Sequence, residues 1–338
     1  MREPAFWYRP RSPQSYLLSP LGALYGAITA RRMARQGFDA GIPVICVGNY
    51  HVGGAGKTPT VLALTKLLRE LGETPVVLSR GYGGSLKGPV MVDRMRHTAA
   101  DVGDEPLMMA REVPVAVARD RLDGVALAKS QGATVILMDD GFQNPSLLKD
   151  ASLIVIDSER GLGNGMVFPA GPLRAPLQAQ LARTDALVLI GDGRAANDVA
   201  AELAKRDKPE LRARLQADAA SLAQLLGKRV FAFAGIGDPE RFFRSLRASG
   251  VDVARMRSFA DHHMFSDDEL AALAVEAQRE QLTLVTTEKD LARLRGRAGV
   301  PDNIVPFAVQ LEFDDPAKLR QLISDHLYKA RERRFSTR

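Results

Sequence analysis

The stretch Val44–Thr60, VICVGNYHVGGAGKTPT, decides the fold. An apolar run leads into a glycine-rich turn that closes on Gly56-Lys57-Thr58. This order is typical of a phosphate-binding loop, because glycines let backbone N–H groups approach phosphate oxygens, while the lysine neutralises charge and the threonine hydroxyl can bind Mg²⁺. We therefore predict a nucleotide phosphate site. Its residues are His51, Val52, Gly53, Gly54, Ala55, Gly56, Lys57 and Thr58.

The loop departs from the usual pattern at its first position. The motif G-x-x-x-x-G-K-[ST] places a glycine where this chain has His51, and Gly53 and Gly54 follow two residues later. The alternative is an ordinary strand-to-helix turn with a chance Gly-Lys-Thr. Apolar residues at helical spacing from Val61 onward and a proline at an early helical position, Pro59, favour the phosphate loop.

Short apolar segments alternate with helical stretches after the loop. Because they are rich in Val and Ile and do not alternate with polar residues, they resemble parallel strands buried on both faces. The predicted strands are Pro75–Leu78, Val113–Ala118, Thr134–Met138, Leu153–Ile156 and Ala186–Ile190, and the predicted helices are Thr60–Leu71, Glu105–Arg111 and Asp120–Ser130. The pattern predicts an α/β fold with a doubly wound, mostly parallel sheet of the P-loop NTPase type.

A second α/β unit is predicted to begin near Arg229. Its predicted elements are the strands Val230–Ala234, Thr283–Thr286 and Ile304–Leu311 and the helix Glu240–Ser249. The last strand is expected to pair with Arg212–Ala217 as a two-stranded linker. We therefore expect a kinase domain over 1–210, with an N-terminal membrane-surface helix, and a smaller α/β domain over 211–338 that ends in a basic helix.

Composition limits the cellular setting. Of the 338 residues 46% are apolar, which is ample for packed cores, and the single cysteine, Cys46, is expected to be a small buried residue in the first strand. One cysteine permits no disulfide framework, which fits a reducing cytoplasm, and the pattern of a signal peptide is missing from the first residues.

The net charge of +6 is concentrated at the two ends of the chain. Residues 1–37 hold six arginines against the single acid Glu3, and the last eleven residues are also basic. Such ends suit a nucleic acid or an anionic membrane surface. The 6% aromatic content offers no evident stacking platform for nucleic acid, so we expect none as a partner.

The N-terminal segment favours a membrane surface. Phe6-Trp7-Tyr8 precedes a helix that is predicted to begin at Ser19-Pro20, and an apolar stripe follows. The stripe consists of Leu21, Leu24, Tyr25 and Ile28. Aromatic residues beside a short apolar helix that ends in arginines indicate an interfacial anchor, too short to span a bilayer. The alternative is a helix packed on its own domain.

Acidic residues stand at the boundaries of two predicted elements. The strand Thr134–Met138 ends in Asp139-Asp140, which would bring a carboxylate to Mg²⁺, although such pairs also cap helices. Asp104 stands before a helix, where it is either an N-cap or a base that accepts the proton of an attacking hydroxyl. A histidine of Asp261-His262-His263 either orients such a base across a cleft or caps the helix that follows Ser266.

Taken together, the motifs resemble those of the tetraacyldisaccharide 4'-kinase (lipid A 4'-kinase) family. The blocks, in chain order, are GNYHVGGAGKTP, SRGYGG, VGDEP, DDGFQ, GNGMVFPAGPLR, FAGIGDPERFF, FADHHMF and TTEKD. The likeness extends from about Pro20 to Phe313. It implies ATP- and Mg²⁺-dependent phosphorylation of the 4'-hydroxyl of a tetraacyl glucosamine disaccharide 1-phosphate at the cytoplasmic face of the inner membrane. We also expect a peripheral protein that is a monomer.

The resemblance also assigns roles to residues. It implies that Asp104 is the catalytic base, that His262 assists it, and that Lys57 acts on the transferred phosphate. The implied metal ligands are Thr58, Asp139, Asp140 and Glu105. The implied contacts to the glycolipid are Ser79, Arg80, Gln143, Asn144 and Arg174.

The chain departs from the family pattern at two positions. Asn144 stands where the family commonly has histidine, and Ala175 stands where it commonly has glutamate. An alternative assignment is a P-loop NTPase of the metallochaperone or synthetase type, which shares the loop. That class predicts Cys/His clusters or an ammonia-handling partner, and a chain with one cysteine shows no such cluster.

Overall fold

The structure is a computed structural model that describes residues 3–294, 300–301 and 303–336. A short 3₁₀ helix covers Ala5–Tyr8. The remaining elements, in chain order, are α1 Pro13–Met33, β1 Val44–Gly48, α2 Lys57–Glu70, β2 Pro75–Ser79, β3 Val90–Met91, α3 Ala99–Val102, α4 Asp104–Met109, β4 Val115–Val117, α5 Arg121–Ser130, β5 Val135–Asp139, β6 Ala151–Asp157, α6 Leu177–Leu181, β7 Ala186–Ile190, α7 Asn197–Ala204, β8 Glu210–Ala217, α8 Ala219–Ala223, β9 Arg229–Ala234, α9 Pro239–Ala248, β10 Asp252–Ser258, α10 Asp267–Arg279, β11 Thr283–Thr287, α11 Glu288–Leu294, β12 Val305–Phe307, β13 Val309–Phe313 and α12 Pro316–Ser336.

The larger sheet has the strand order β13-β8-β7-β6-β1-β5-β2-β4-β3. Its strands from β8 to β4 are parallel, and only the two edge strands run antiparallel to their neighbours. Successive residues of β1 face opposite sides, so that Val44 and Cys46 enter one core while Ile45 and Val47 enter the other. Because helices cover both faces, the prediction of a doubly wound, mostly parallel sheet is confirmed.

The smaller sheet is fully parallel, with the order β10-β9-β11-β12, and it also has a core on each face. The predicted strand Ile304–Leu311 is wrong as a single element. It divides into β12, which belongs to the smaller sheet, and β13, which pairs antiparallel with β8 at the edge of the larger one. The chain therefore passes between the sheets along β8 and β13.

Helix α1 begins earlier than predicted. Its N-cap is Ser12, whose side chain accepts a hydrogen bond from the backbone of Ser15, and Pro20 lies inside the helix. The prediction of a start at Ser19-Pro20 was wrong because two Ser-Pro pairs carry the same local signal, and only the first opens the helix. The correction adds about two turns of helix on the N-terminal side.

The C-terminal helix α12 packs against the larger sheet. Its buried residues Leu319, Ile323 and Leu327 lie in the core below the larger sheet, together with Leu64 of α2. Arg331 pairs with Glu73 at 2.7 Å on the same side. The helix is therefore attached to the larger sheet, although the chain reaches it after the smaller one. The division of the chain into two domains at residue 210 stays a prediction.

Candidate functional site

The phosphate loop joins β1 to α2 through glycines with positive φ angles. Gly56, the N-cap of α2, has a φ of 94°, and an added Cβ there would lie 2.5 Å from Ile190. Gly53 has a φ of 106° and its carbonyl accepts a hydrogen bond from the side chain of Asn49 at 3.1 Å. Only glycine adopts such angles without strain, so these residues shape the loop, and α2 directs its positive end into it.

Two carboxylates lie beside the loop lysine. Strand β5 pairs with β1, so Asp139 lies opposite Val47 and Asp140 follows at the sheet edge. Oδ1 of Asp140 lies 3.6 Å from Nζ of Lys57 and 2.8 Å from Nη1 of Arg174. Burial alone would raise the pKa of Asp140, but these two cations lower it to about 2. The side chain is therefore an anion at neutral pH.

Asp139 differs from Asp140 in its hydrogen bonds and in the direction in which its pKa is shifted. Its Oδ2 lies 3.4 Å from Oγ of Ser79, and its Oδ1 is buried without a hydrogen-bond partner among the described residues. Burial, with the nearby charges of Glu105 and Asp140, raises the pKa of Asp139 above its ordinary value. A buried carboxylate oxygen without a partner is costly, so this position favours a cation.

Asp104 meets three cationic or proton-bearing groups, which belong to the loop after β10 and to α11. The carboxylate is 5% exposed, and its Oδ2 lies 3.2 Å from Nδ1 of His262 and 2.9 and 2.7 Å from Nε and Nη2 of Arg293. Nζ of Lys289 is 4.0 Å away. Burial would raise the pKa of Asp104, but the hydrogen bond from His262 and the two cations hold it well below its ordinary value.

The other carboxylate oxygen of Asp104 is less occupied. Oδ1 accepts the backbone N–H of Glu105 at 2.9 Å. His262 adopts a φ of 57° and its own backbone N–H donates to the carbonyl of Gly235, which fixes the ring beside Asp104. The carboxylate of Asp104 is therefore ionised, with Oδ2 held by His262 and Arg293 and with Oδ1 suited to accept a proton.

A cavity of about 250 Å³ lies between the phosphate loop and the elements around the smaller sheet. Loop residues 54–58 line one wall, and residues of α9 and of the β11–α11 turn line the other. Among the predicted metal ligands, Thr58 and Glu105 also line it. Glu105, however, pairs with Lys289 at 3.0 Å, so a metal would compete there with an ammonium group.

Only some of the residues predicted to contact the glycolipid lie close to the Asp139-Asp140 pair. Ser79 and Arg174 lie at the Asp139-Asp140 pair, and Arg80 follows Ser79 with an exposed side chain. The amide of Gln143 instead donates to the carbonyl of Asn49 and to Gln180, which supports the loop from behind. The side chain of Asn144 accepts from the backbone of Ser146 and lines a separate cavity.

Two charged residues of the site, Arg241 and Arg293, were not singled out from the sequence. Arg241 lines the cavity from α9, and Arg293 and Asp290, which pair with each other, connect Asp104 to the turn at Gly235. The TTEKD block marked the strand end near Asp290, but Arg293 lies one helical turn further on. No local pattern distinguishes such an arginine from a solvated one, because its partner is distant in the chain.

His51 is a neutral, buried part of the loop. It is 1% exposed, and burial lowers its pKa to about 4. Between its ordinary pKa near 6.5 and pH 4, the His51 imidazole is protonated in the unfolded chain but stays neutral in the folded one. We therefore expect His51 to reduce the free energy of unfolding by about 3 kcal/mol as the pH falls through that window. Urea unfolding at several pH values should show a flatter profile for His51→Asn, and an unchanged slope would contradict the prediction.

Comparisons with known proteins agree on one family. The family model LpxK, tetraacyldisaccharide-1-P 4'-kinase, matches residues 14–328. A tetraacyldisaccharide 4'-kinase of Bradyrhizobium diazoefficiens is 89% identical over 338 residues, which is all of both chains. One of Rhodopseudomonas palustris (strain BisB5) is 64% identical over 99% of this chain and all of the relative. The crystal structure of LpxK from Aquifex aeolicus in complex with ATP is 28% identical, with a TM-score of 0.72 over 93% of this chain and 99% of that one.

Proposed function

The chain belongs to the tetraacyldisaccharide-1-phosphate 4'-kinase family, and we propose that it transfers the γ-phosphoryl group of ATP to the 4'-hydroxyl of a tetraacyl glucosamine disaccharide 1-phosphate. The observation that carries the proposal is the pairing of Asp104 with His262 at the end of the cavity's acidic wall. Asp104 precedes Glu105 and lies 4.0 Å from Lys289, and both of these neighbours line the cavity together with Lys57 of the phosphate loop.

In the proposed reaction Asp104 takes the proton of the sugar alcohol. The alcohol oxygen forms a bond to the γ-phosphorus, the bond between that phosphorus and the β–γ bridging oxygen breaks, and ADP leaves. Phosphoryl transfer requires positioning and charge stabilisation more than covalent help, so an ionised carboxylate and fixed cations suffice. Lys57 supplies the cation on the loop, and His262 holds Asp104 in place through Oδ2.

We propose that Thr58, Asp139 and Asp140 hold Mg²⁺ with the ATP phosphates. The unpartnered, buried Oδ1 of Asp139 fits that role. The described residues contain no cluster of three or more His, Cys, Asp or Glu side chains for a metal, but Mg²⁺ typically takes one or two carboxylates and completes its shell with phosphates and water. When bound, it would neutralise charge on the β- and γ-phosphates. Glu105 is a further candidate only if it leaves Lys289.

Ser79, Arg80 and Arg174 are proposed to meet the headgroup and its phosphate. Arg174 already pairs with an anion, Asp140, at 2.8 Å, and Arg80 is exposed at the end of β2. Arginine binds phosphate through two N–H donors in a fixed plane. Gln143 is proposed to act on the site by supporting Asn49 of the loop, and Asn144 by shaping its turn.

Helix α1 carries its apolar side chains outward. Its buried positions are small residues such as Gly22 and Gly26, where an added Cβ would lie 2.8 Å from the carbonyl of Val167 and 3.2 Å from Pro176. The large residues Leu17 and Leu24 are 80% and 63% exposed. This reverses the usual pattern of a surface helix, and a patch of this kind marks an interaction surface.

We propose that this face lies on the cytoplasmic surface of the inner membrane. A lipid substrate with several acyl chains remains in the bilayer, since each buried CH₂ contributes about 0.8 kcal/mol, so the enzyme has to come to it. Over the described ranges, no helix reaches the length and hydropathy needed to cross a bilayer. Because one chain supplies Lys57, Asp104 and His262, we propose that a monomer is sufficient for activity.

The combined variant Leu17→Glu/Leu21→Glu/Leu24→Glu is expected to reduce binding to anionic phospholipid vesicles at least ~10-fold, because three exposed apolar side chains lose their burial in the interface. Cosedimentation measures this. The matched control is Leu226→Glu/Val275→Glu, two exposed apolar positions of the smaller domain. Equal sedimentation of the α1 variant and the control would refute the membrane face.

The proposed activity is tested with γ-³²P-labelled ATP and the tetraacyl disaccharide 1-phosphate in mixed micelles. Wild-type protein should transfer label to the lipid only when ATP, Mg²⁺ and lipid are all present. Hydrolysis of ATP that nucleic acid stimulates, without transfer to lipid, would exclude the proposal.

A further inference from the structure

A cation of the smaller domain lies at the phosphate loop. Arg241 belongs to the first turn of α9, and the N-cap Asp238 accepts its backbone N–H at 3.1 Å. The other face of α9 buries Phe242, Phe243 and Leu246 in the core of the smaller domain. The helix is therefore a rigid support, and Arg241 extends from it into the wall of the cavity that faces the loop.

Asp157 holds the guanidinium of Arg241. It ends β6, which pairs with β1 on the side opposite to β5, and its side chain is 6% exposed. Its Oδ1 accepts the backbone N–H groups of Glu159 and Arg160, and its Oδ2 lies 2.7 Å from Nη1 of Arg241. The carboxylate is thus fixed in position, and it directs the arginine to the flank of the loop away from Asp139.

Three cations and three carboxylates line the cavity, and each carboxylate already has a partner: Glu105 pairs with Lys289, Glu288 pairs with Arg111, and Asp238 caps α9. The cations Lys57 and Arg241 make the cavity a fit for a polyphosphate. Lys57 lies on the loop, and Lys289 and Arg241 face it from the smaller domain. The ion pair of Arg241 with Asp157 uses Nη1, whereas a guanidinium carries five N–H donors in a fork. The remaining donors can bind phosphate oxygens while the ion pair persists.

We propose that Arg241 binds the phosphate tail of ATP from the second domain and that Asp157 orients it for this contact. The inference rests on the proposed function, because it assigns to Arg241 the stabilisation of charge that develops on the transferred phosphoryl group. The phosphate would then lie between Lys57 of one domain and Arg241 of the other, so ATP itself would bridge the two domains.

The test compares Arg241→Ala and Arg241→Lys with Arg244→Ala in the lipid phosphorylation assay. Arg244 is a matched control on the same helix, where it pairs with Glu159 at 2.9 Å but is 58% exposed. We expect Arg241→Ala to lower kcat/KM for ATP at least ~100-fold, and Arg244→Ala to change it by less than about twofold. Asp157→Asn should raise KM for ATP, because the guanidinium loses its orientation.

Calorimetry with a nonhydrolysable ATP analogue and with AMP shows whether Arg241 binds the phosphates of ATP or only stabilises the fold through its ion pair with Asp157. Arg241→Ala should weaken the analogue at least ~10-fold and leave AMP, which lacks the outer phosphates, unchanged. If Arg241→Ala fails to fold, Arg241→Lys is the variant to measure, because it keeps the positive charge but loses the planar fork of N–H donors. If Arg241 binds phosphate, kcat/KM for ATP should fall at least ~10-fold in Arg241→Lys. If Arg241 only holds the fold through its ion pair with Asp157, kcat/KM should stay at the wild-type value.

The outcomes distinguish this inference from the proposed function. Wild-type protein that transfers no label to lipid would refute the proposed function. Wild-type transfer with unchanged kcat/KM for Arg241→Ala, or for Arg241→Lys where only that variant folds, would refute the role of Arg241 alone. Equal weakening of the ATP analogue and of AMP would also overturn it.

Discussion

Replacing Asp104 with asparagine is expected to lower kcat at least ~100-fold, the usual contribution of a positioned base, while the affinity for ATP stays close to that of the wild type. The variant keeps the shape of the side chain but can no longer accept the proton. The remaining hydrogen bond from the backbone of Glu105 does not depend on charge, so the turn before α4 should persist. Single-turnover transfer to the disaccharide lipid measures the effect.

The interpretation of Asp104→Asn depends on the state of Arg293. The substitution removes one of two carboxylates from that buried guanidinium, and Asp290 remains as its partner at 2.5 Å. Thermal unfolding should therefore accompany the kinetics. Asp123→Asn, an exposed aspartate of α5, is the matched control for loss of a carboxylate. A folded Asp104→Asn protein with a wild-type rate would refute the assignment of the base.

Replacing Lys57 with methionine is expected to reduce kcat about 10²–10³-fold, because the loop loses the ammonium that balances charge on the transferred phosphate. The side chain lies 3.6 Å from Asp140, so its removal also leaves that carboxylate with Arg174 alone beside it. KM for ATP should rise as well, because the proposed contact of the lysine with phosphate would already form in the ground state.

Lys66→Met is the control for Lys57→Met, because Lys66 lies on the same helix α2 with an exposed side chain outside the loop. It should turn over as the wild type does. If both variants retained full activity, the phosphate loop would not be the nucleotide site, and the proposed reaction would need another origin for its cation.

The parts of the site that are contiguous in the chain were predictable from the sequence. The loop from His51 to Thr58 has a local signature, and Asp139-Asp140 ends the strand next to it, so the carboxyl ends of parallel strands bring them together. The pairing of β8 with β13 was also predicted and is confirmed. In each case the local sequence pattern and the order of the strands in the sheet predict the same position for these residues.

Contacts between distant segments were not predictable in the same way. Arg293 reaches Asp104 and Arg241 reaches Asp157 only because α9 and α11 pack beside the larger sheet. Strand β10 was missed because its side chains are largely exposed and polar, which removes the apolar signal of a strand. The placement of α12 likewise depends on three leucine and isoleucine side chains that fit either sheet by composition.

The outward apolar face of α1 explains why sequence periodicity left two alternatives there. A stripe of Leu and Ile predicts contact with something apolar, but it does not say whether that is a core or a lipid surface. The structure places glycines such as Gly22 against the protein and the large residues outside. The buried face of α1 consists of small residues that let the helix backbone approach neighbouring segments closely, and a hydropathy pattern carries no information on such contacts.

In the proposed reaction, ATP and the sugar alcohol meet in the cleft between the phosphate loop and the elements around the smaller sheet. A crystal structure with a nonhydrolysable ATP analogue and Mg²⁺ would show whether they do. We expect a triphosphate on the backbone N–H groups of residues 54–58, with its terminal phosphate between Lys57 and the Asp104–His262 pair. A nucleotide bound elsewhere, or a terminal phosphate directed away from Asp104, would contradict the proposal.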